Sequence, residues 1–246
     1  MMSDVVINPA RLKGEPRLPP AGILCVNPAE AAQAIALADG ERGRRHFLYN
    51  SSLYVLPASG SGAEIFLAGP AVGAPMAAMV LEKLIALGAQ KVLLCGWCGS
   101  LCPDLAVGDL LLPTWALCEE GTSAHYPVAG RPESSSALRS GLEVFLTTKG
   151  FKAREGPIWT TDAPYRETRV KVRDYGGQGI LAVDMEFGGL CSVATFRGIE
   201  LAAALLVSDE PWRPEWLPGF LAKEFKRKSR QYFQALVEFC RTISTA

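Results

Sequence analysis

No stretch of this chain approaches the roughly 20 consecutive apolar residues that a membrane-crossing helix requires; its longest clean run is about seven, LAAALLV. Net charge is missing as well. Basic and acidic side chains number 25 each and cancel, so no global field favours a nucleic acid or a membrane surface as partner. Histidine is scarce, with only His46 and His125, and that starves most metal sites of ligands. No Gly-Lys-Ser/Thr follows the glycine turn GPAVGAP (69–75), so the turn is not a P-loop. There is no internal repeat and no low-complexity linker. The opening segment MMSDVVINPARLKG lacks an apolar stretch behind a basic one, which reads as no secretion signal and a cytoplasmic location.

What is present fits a globular enzyme. Of 246 residues, 49% are apolar and 20% charged, enough to bury a substantial core as one large domain or two small ones. Seven cysteines, an odd count in mostly apolar surroundings, read as reduced thiols. Three of them, Cys95, Cys98 and Cys102, crowd into CGWCGSLC. No second pair stands at zinc-finger spacing and the order does not suit an iron–sulfur cluster, so buried thiols are the better reading and no metal ligand is assigned.

Short apolar runs alternate with helical patterns. Strands are expected at 22–26, 46–50, 53–58, 64–69, 91–96, 109–114, 156–161, 180–185 and 200–209. Helices are expected at 28–39, 75–88, 134–149, 165–175, 187–198 and about 218–243. This is an α/β pattern around a largely parallel or mixed sheet, whose ligands gather beyond the carboxyl ends of strands. Gly69, Gly96, Thr161, Met185 and Asp209 stand at those ends.

Four polar constellations interrupt the apolar pattern. AVDMEFGGL (182–190) sets Asp184 and Glu186 either side of Met185 at the edge of a core strand, where a carboxylate is costly without a partner or a task. VSDEPW (207–212) ends another apolar strand on Ser208 and Asp209, the latter either a helix cap or an acid whose pKa burial lifts. EEGTSAHY (119–126) offers His125 as a base, but with no nucleophile motif beside it. KEFKRKSRQYF (223–233) is basic, yet its aromatics recur at near-helical spacing, as on the solvated face of an amphipathic helix. Three acids at neighbouring strand ends, without histidines for a metal, suit the recognition of hydroxyls and the protonation of a leaving group, which is sugar chemistry.

TTDAPYRET (160–168), EGTSAHY, VDMEFGGL and LLVSD (205–209) together resemble the purine nucleoside and uridine phosphorylase family, most closely its uridine phosphorylase-like branch, over residues 22–212. The resemblance implies a single domain over 1–246, a three-layer α/β/α sandwich around a central mixed, barrel-like sheet. It also implies a homo-oligomer, dimer or hexamer, with active sites near subunit borders, and no cofactor beyond phosphate as co-substrate. Glu186 would take the ribose hydroxyls and Met185 would lie against the sugar, with Trp97 beside them. Asp209 would protonate the departing base, which needs a pKa lifted by burial. Tyr165, Arg166 and Glu167 would fall at the base, whose identity stays open.

The phosphate half departs from the family pattern. Val26 and Glu30 stand where a glycine and an arginine would bind phosphate, and Leu94 and Trp97 replace an arginine and a threonine. Glu30 is expected to repel a dianion. Arg45 of a neighbouring subunit, with backbone amides between Gly69 and Gly73, is the expected substitute. The reading is therefore phosphorolysis of a purine or pyrimidine nucleoside to free base and ribose 1-phosphate. A nucleosidase using water and a catalytically silent nucleoside binder are the alternatives, and a cysteine-based redox or metal protein ranks last.

Overall fold

The computed structural model describes residues 5–244, so the first four residues of the opening segment lie outside the described residues. Strands β1 (Ala21–Cys25), β4 (Ile65–Gly69), β5 (Lys91–Ser100) and β9 (Glu200–Glu210) are apolar at nearly every position and buried on both faces, as strands covered from both sides must be. With β2 (Arg44–Leu48), β3 (Ser51–Leu56), β6 (Leu110–Cys118), β7 (Ala153–Thr160), β8 (Ala182–Asp184) and β10 (Leu217–Pro218) they form one mixed sheet in the order β10-β9-β6-β7-β8-β5-β1-β4-β3-β2. A further β5–β9 pairing joins two strands that this order keeps apart, and closes β9, β6, β7, β8 and β5 into a ring. The barrel-like core expected from the resemblance is this ring.

Helices α1 (Pro28–Gly40), α3 (Ser136–Thr148) and α6 (Lys223–Ile243) cover one face of the sheet. Ala31, Ala34, Leu142, Leu146, Tyr232 and Leu236 pack there on Ile23, Leu67 and Leu93. On the other face α2 (Ala74–Leu87) and α5 (Phe187–Arg197) press Leu81, Leu84, Leu190 and Val193 against Leu24, Phe66 and Leu94. The basic run of α6 behaves as its spacing predicts. Phe225, Ser229, Tyr232, Phe233 and Leu236 are buried, while Lys226, Arg227 and Arg230 are exposed.

Boundaries differ from expectation where local chemistry decides. Helix α4 (Arg169–Gly177) starts four residues late, because Pro164–Arg166 forms a 3-10 turn and the Thr168 side chain caps α4 by accepting from the Lys171 N–H at 3.3 Å. Helix α6 starts at Lys223, because Leu217–Pro218 pairs with Glu210 and Asp209 as the short strand β10. The β5–β9 ladder carries β5 four residues further than the apolar run suggested. Among the described residues, no helix is long and apolar enough to cross a membrane.

Candidate functional site

Two local features of the ring place the acids. The first is a bulge between β5 and β9: Cys98 pairs with Val207, but Gly99 pairs with Asp209, leaving Ser208 as the extra residue. Successive residues of a regular strand point to opposite faces; here the bulge lets Ser208 and Asp209 line one cavity together. Ser208 Oγ lies 3.2 Å from the Cys98 carbonyl and 2.6 Å from Asp209 Oδ1, while Trp216 Nε1 donates to Asp209 Oδ2 at 2.8 Å.

The second feature is the passage from β8 into α5, which separates the two acids flanking Met185. Asp184 is structural. It accepts from Thr160 Oγ1 at 2.6 Å, from the Phe187 N–H at 2.7 Å and from the Glu186 N–H at 3.2 Å, while Thr160 Oγ1 accepts from the Gly188 N–H at 3.0 Å. These bonds satisfy amides that open α5 and would otherwise be buried without acceptors. The glycines that follow let α5 sit close. A Cβ on Gly188 would come within 2.6 Å of Cys118 Sγ, and one on Gly189 within 3.0 Å of Ala74 Cβ. Glu186 lines the cavity, where its carboxyl is held by backbone amides alone, the Gly73 N–H at 2.6 Å and that of Met185.

The electrostatics of the pair follow from this difference. Burial, reinforced by the Asp184 charge, pushes the Glu186 carboxyl up to about 8. Burial also raises Asp184, but its hydroxyl and amide donors favour the ionised form. Of the two, Asp184 therefore carries the charge and Glu186 the proton in the free protein. Across the cavity, burial and then the Asp209 charge raise Glu167 to about 7.

The cavity, of about 500 Å³, brings together Trp97, Tyr165, Glu167, Met185, Glu186 and Asp209 from the sequence reading. Tyr165 reaches it from a largely exposed position. Arg166, in the exposed 3-10 turn, does not line it, and neither does Arg45, exposed on strand β2. His125 lies exposed in a separate 3-10 turn.

One expectation about the phosphate half is corrected. Glu30 does not face the cavity: it is fully buried, and its Oε1 accepts from Trp97 Nε1 at 2.7 Å and from Ser229 Oγ at 2.7 Å. In the stretch between Gly69 and Gly73, the Gly73 N–H is given to Glu186 and Gly69 pairs with Ser52, while Val72 lines the cavity.

Asn27, Arg169, Arg213 and Trp216 also line the cavity and were not picked out from sequence. Arg169 donates to the Arg213 carbonyl at 3.0 Å and to that of Pro214, fastening the segment between β9 and β10 over the site, and Arg213 pairs with Glu210. An arginine given to backbone carbonyls has no signature in sequence. Trp216 follows Asp209 by seven residues and meets it only because β10 turns the chain back along β9.

The family model described as the phosphorylase superfamily matches residues 20–240. A guanosine phosphorylase of Halorubrum lacusprofundi is 30% identical over 163 residues, which is 64% of this chain and 66% of that protein's length. A DeoD-type purine nucleoside phosphorylase of Bacillus thuringiensis is 28% identical over 167 residues, 65% of this chain and 71% of its own. Among solved structures, a purine nucleoside phosphorylase from Toxoplasma gondii in complex with immucillin-H superposes with a TM-score of 0.83, covering 100% of this chain and 99% of that one. At 21% identity this match speaks to the fold. The relatives' names are purine names and give no particular support to the uridine-type branch.

Proposed function

This chain belongs to the phosphorylase superfamily, and on that premise we propose that it is a nucleoside phosphorylase, cleaving the N-glycosidic bond of a purine ribonucleoside with orthophosphate. The observation that carries the reading is Glu186: a buried carboxyl held by backbone amides alone, beside Met185, in the same cavity as Asp209. A structural carboxyl so placed would be given more donors, as Asp184 is. The names of the relatives favour purine nucleosides, guanosine among them.

In this mechanism the glycosidic C–N bond breaks with its electron pair passing to the base, and Asp209, which takes up a proton as the nucleoside binds, supplies the proton that makes the base a neutral leaving group. Glu186 accepts the ribose 2′- and 3′-hydroxyls. Those hydroxyl donors favour its ionised form, so the proton held in the free protein is released to solvent on binding, and as an anion it offsets the positive charge on the oxocarbenium-like sugar. A phosphate oxygen then forms the new bond to C1′, giving ribose 1-phosphate. Met185 and Trp97 flank the sugar, and Tyr165 and Glu167 lie towards the base. No cofactor enters the scheme.

Assembly and location belong to the same reading. Arg45 is exposed on β2, close in sequence to exposed Phe47 and Tyr49, which supports a subunit border at that edge, with Arg45 reaching a neighbour's site in a cytoplasmic homo-oligomer, dimer or hexamer. The test of the reaction is a panel of purine and pyrimidine nucleosides incubated with and without phosphate, with released base measured. Release only with phosphate is expected. Equal release in its absence would establish hydrolysis, and binding without release a silent receptor.

A further inference from the structure

We propose that Trp216 is a gate on Asp209: its indole N–H covers Oδ2 in the free protein and swings away as the base arrives, so that Asp209 becomes an acid only with substrate in place. The proposal rests on the reading above, in which Asp209 protonates the departing base. Trp216 is in this role a positioning residue, acting through Asp209 and not on the reacting atoms.

The argument starts from the donors on Asp209. Ser208 Oγ lies 2.6 Å from Oδ1, and Trp216 Nε1 lies 2.8 Å from Oδ2. Ser208 is no obstacle to catalysis, because a carboxyl protonated on Oδ2 still accepts on Oδ1. With Oδ1 taken by the adjacent residue, Oδ2 is the oxygen left for a ligand, and Trp216 covers it. An indole N–H donates and never accepts. A proton on Oδ2 would face that N–H donor to donor, so Asp209 cannot present it to a base while Trp216 stays.

The surroundings let this side chain move while its backbone stays. Trp216 lines the cavity yet is 58% exposed, and its ring meets Phe220 at 6.2 Å between centroids, near the far end of the range for aromatic pairs. On one side Arg169 holds the carbonyls of Arg213 and Pro214; on the other, Leu217 and Pro218 pair with Glu210 and Asp209. The chain is pinned on both sides of an indole that can turn about its own side-chain bonds. A purine entering between Glu167 and Asp209 therefore displaces one exposed hydrogen bond and lifts no segment of chain. Glu167, Asp184, Glu186, Cys98, Glu210, Arg169 and Arg213 complete the charged and titratable surroundings of Asp209. Substituting Trp216 leaves all of them in place, so the comparison isolates the gate.

The test uses Trp216→Phe in the full-length protein, which keeps a ring beside Phe220 and removes the N–H. Its kcat/KM for an ordinary purine nucleoside is expected to rise about three- to tenfold, because Asp209 no longer gives up a donor when it takes the proton. A nucleoside methylated at N7 leaves Asp209 ionised and the indole in place, so the change there should stay within about twofold. In an Asp209→Asn background Trp216→Phe should likewise change little. The spectroscopic signature is the Trp216 indole N–H resonance, assigned by its loss in Trp216→Phe. Saturating purine ribonucleoside without phosphate should move it in the wild type towards its position in free Asp209→Asn. An equal effect of Trp216→Phe on both nucleosides, or a wild-type resonance unmoved at saturation, overturns the gate and leaves Asp209 as the acid. Undiminished turnover in Asp209→Asn is a different failure, which removes the acid and with it the reading that the gate rests on.

Discussion

Trp97 Nε1 donates to Glu30 Oε1 at 2.7 Å, so two residues that break the family's phosphate pattern are bonded to one another. Ser229 on α6 adds a second donor to the same oxygen, and Trp97 packs against Phe220 and Phe225. The pair ties α1, β5 and α6 together. Removing Glu30 leaves two buried donors without their acceptor. Glu30→Ala should therefore cost about 3 kcal/mol in a urea unfolding series, while Glu30→Gln, which keeps the acceptor, should cost about 1 kcal/mol. Glu30→Arg, which restores the family residue, should be worse than alanine, because it buries an unpaired cation among donors. A stable Glu30→Arg protein with a lowered phosphate KM would show that the carboxyl obstructs phosphate after all.

Glu186 is expected to weaken the fold that it serves. Its carboxyl is raised to about 8, by burial first and then by the Asp184 charge, against an ordinary value of 4.5. The folded state therefore holds the proton more tightly than the unfolded state, and stability contributed at low pH is lost as pH climbs from about 4.5 to about 8. Glu186→Gln should gain several degrees in Tm at pH 9 and almost nothing at pH 4.5, by thermal melts. The gain comes with a loss of function: Glu186→Ala should lower kcat/KM by at least about 100-fold. Equal Tm shifts at both pH values would mean that the carboxyl is not raised in the fold.

Asp209 is separable from Glu186 by choice of substrate. A purine nucleoside methylated at N7 carries its positive charge before the bond breaks, and its base leaves without a proton. Asp209→Asn should lose about 100- to 1000-fold in kcat on ordinary purine nucleosides, and less than about tenfold on the methylated one. Equal losses on both substrates would reduce Asp209 to a binding residue.

How much of this was legible in sequence depends on whether the information was local. The two-sided apolar strands and the helical spacing of Phe225, Tyr232 and Leu236 are local, and they placed most elements within a few residues. Asp184 and Glu186 stood out as acids at a core strand end. Their division into a helix-opening acceptor and a cavity carboxyl depends on Thr160, which lies 24 residues away on β7, and on the turn at Gly73. The Ser208 bulge and the burial of Glu30 under Ser229, 199 residues distant, exist only once the ring has closed. Pattern reading assigned Glu30 to the cavity because the family residue there faces phosphate; side-chain direction was set by partners that no spacing reveals.

Glu167 offers a test of the cavity's electrostatics apart from turnover. Burial raises its carboxyl to about 7, and the Asp209 charge contributes next. Carboxyl-carbon NMR should find Glu167 titrating near 7 in the wild type and at lower pH in Asp209→Asn, where the neighbouring negative charge is gone. An unmoved titration would place the two acids too far apart to serve one base.

The most direct measurement is a crystal structure of the protein with a purine ribonucleoside bound, read at a single contact. The account predicts both ribose 2′- and 3′-oxygens within about 3 Å of the Glu186 carboxyl, with the base against Asp209 and Glu167. A nucleoside bound with its diol elsewhere, and Glu186 still held only by its backbone amides, would contradict it.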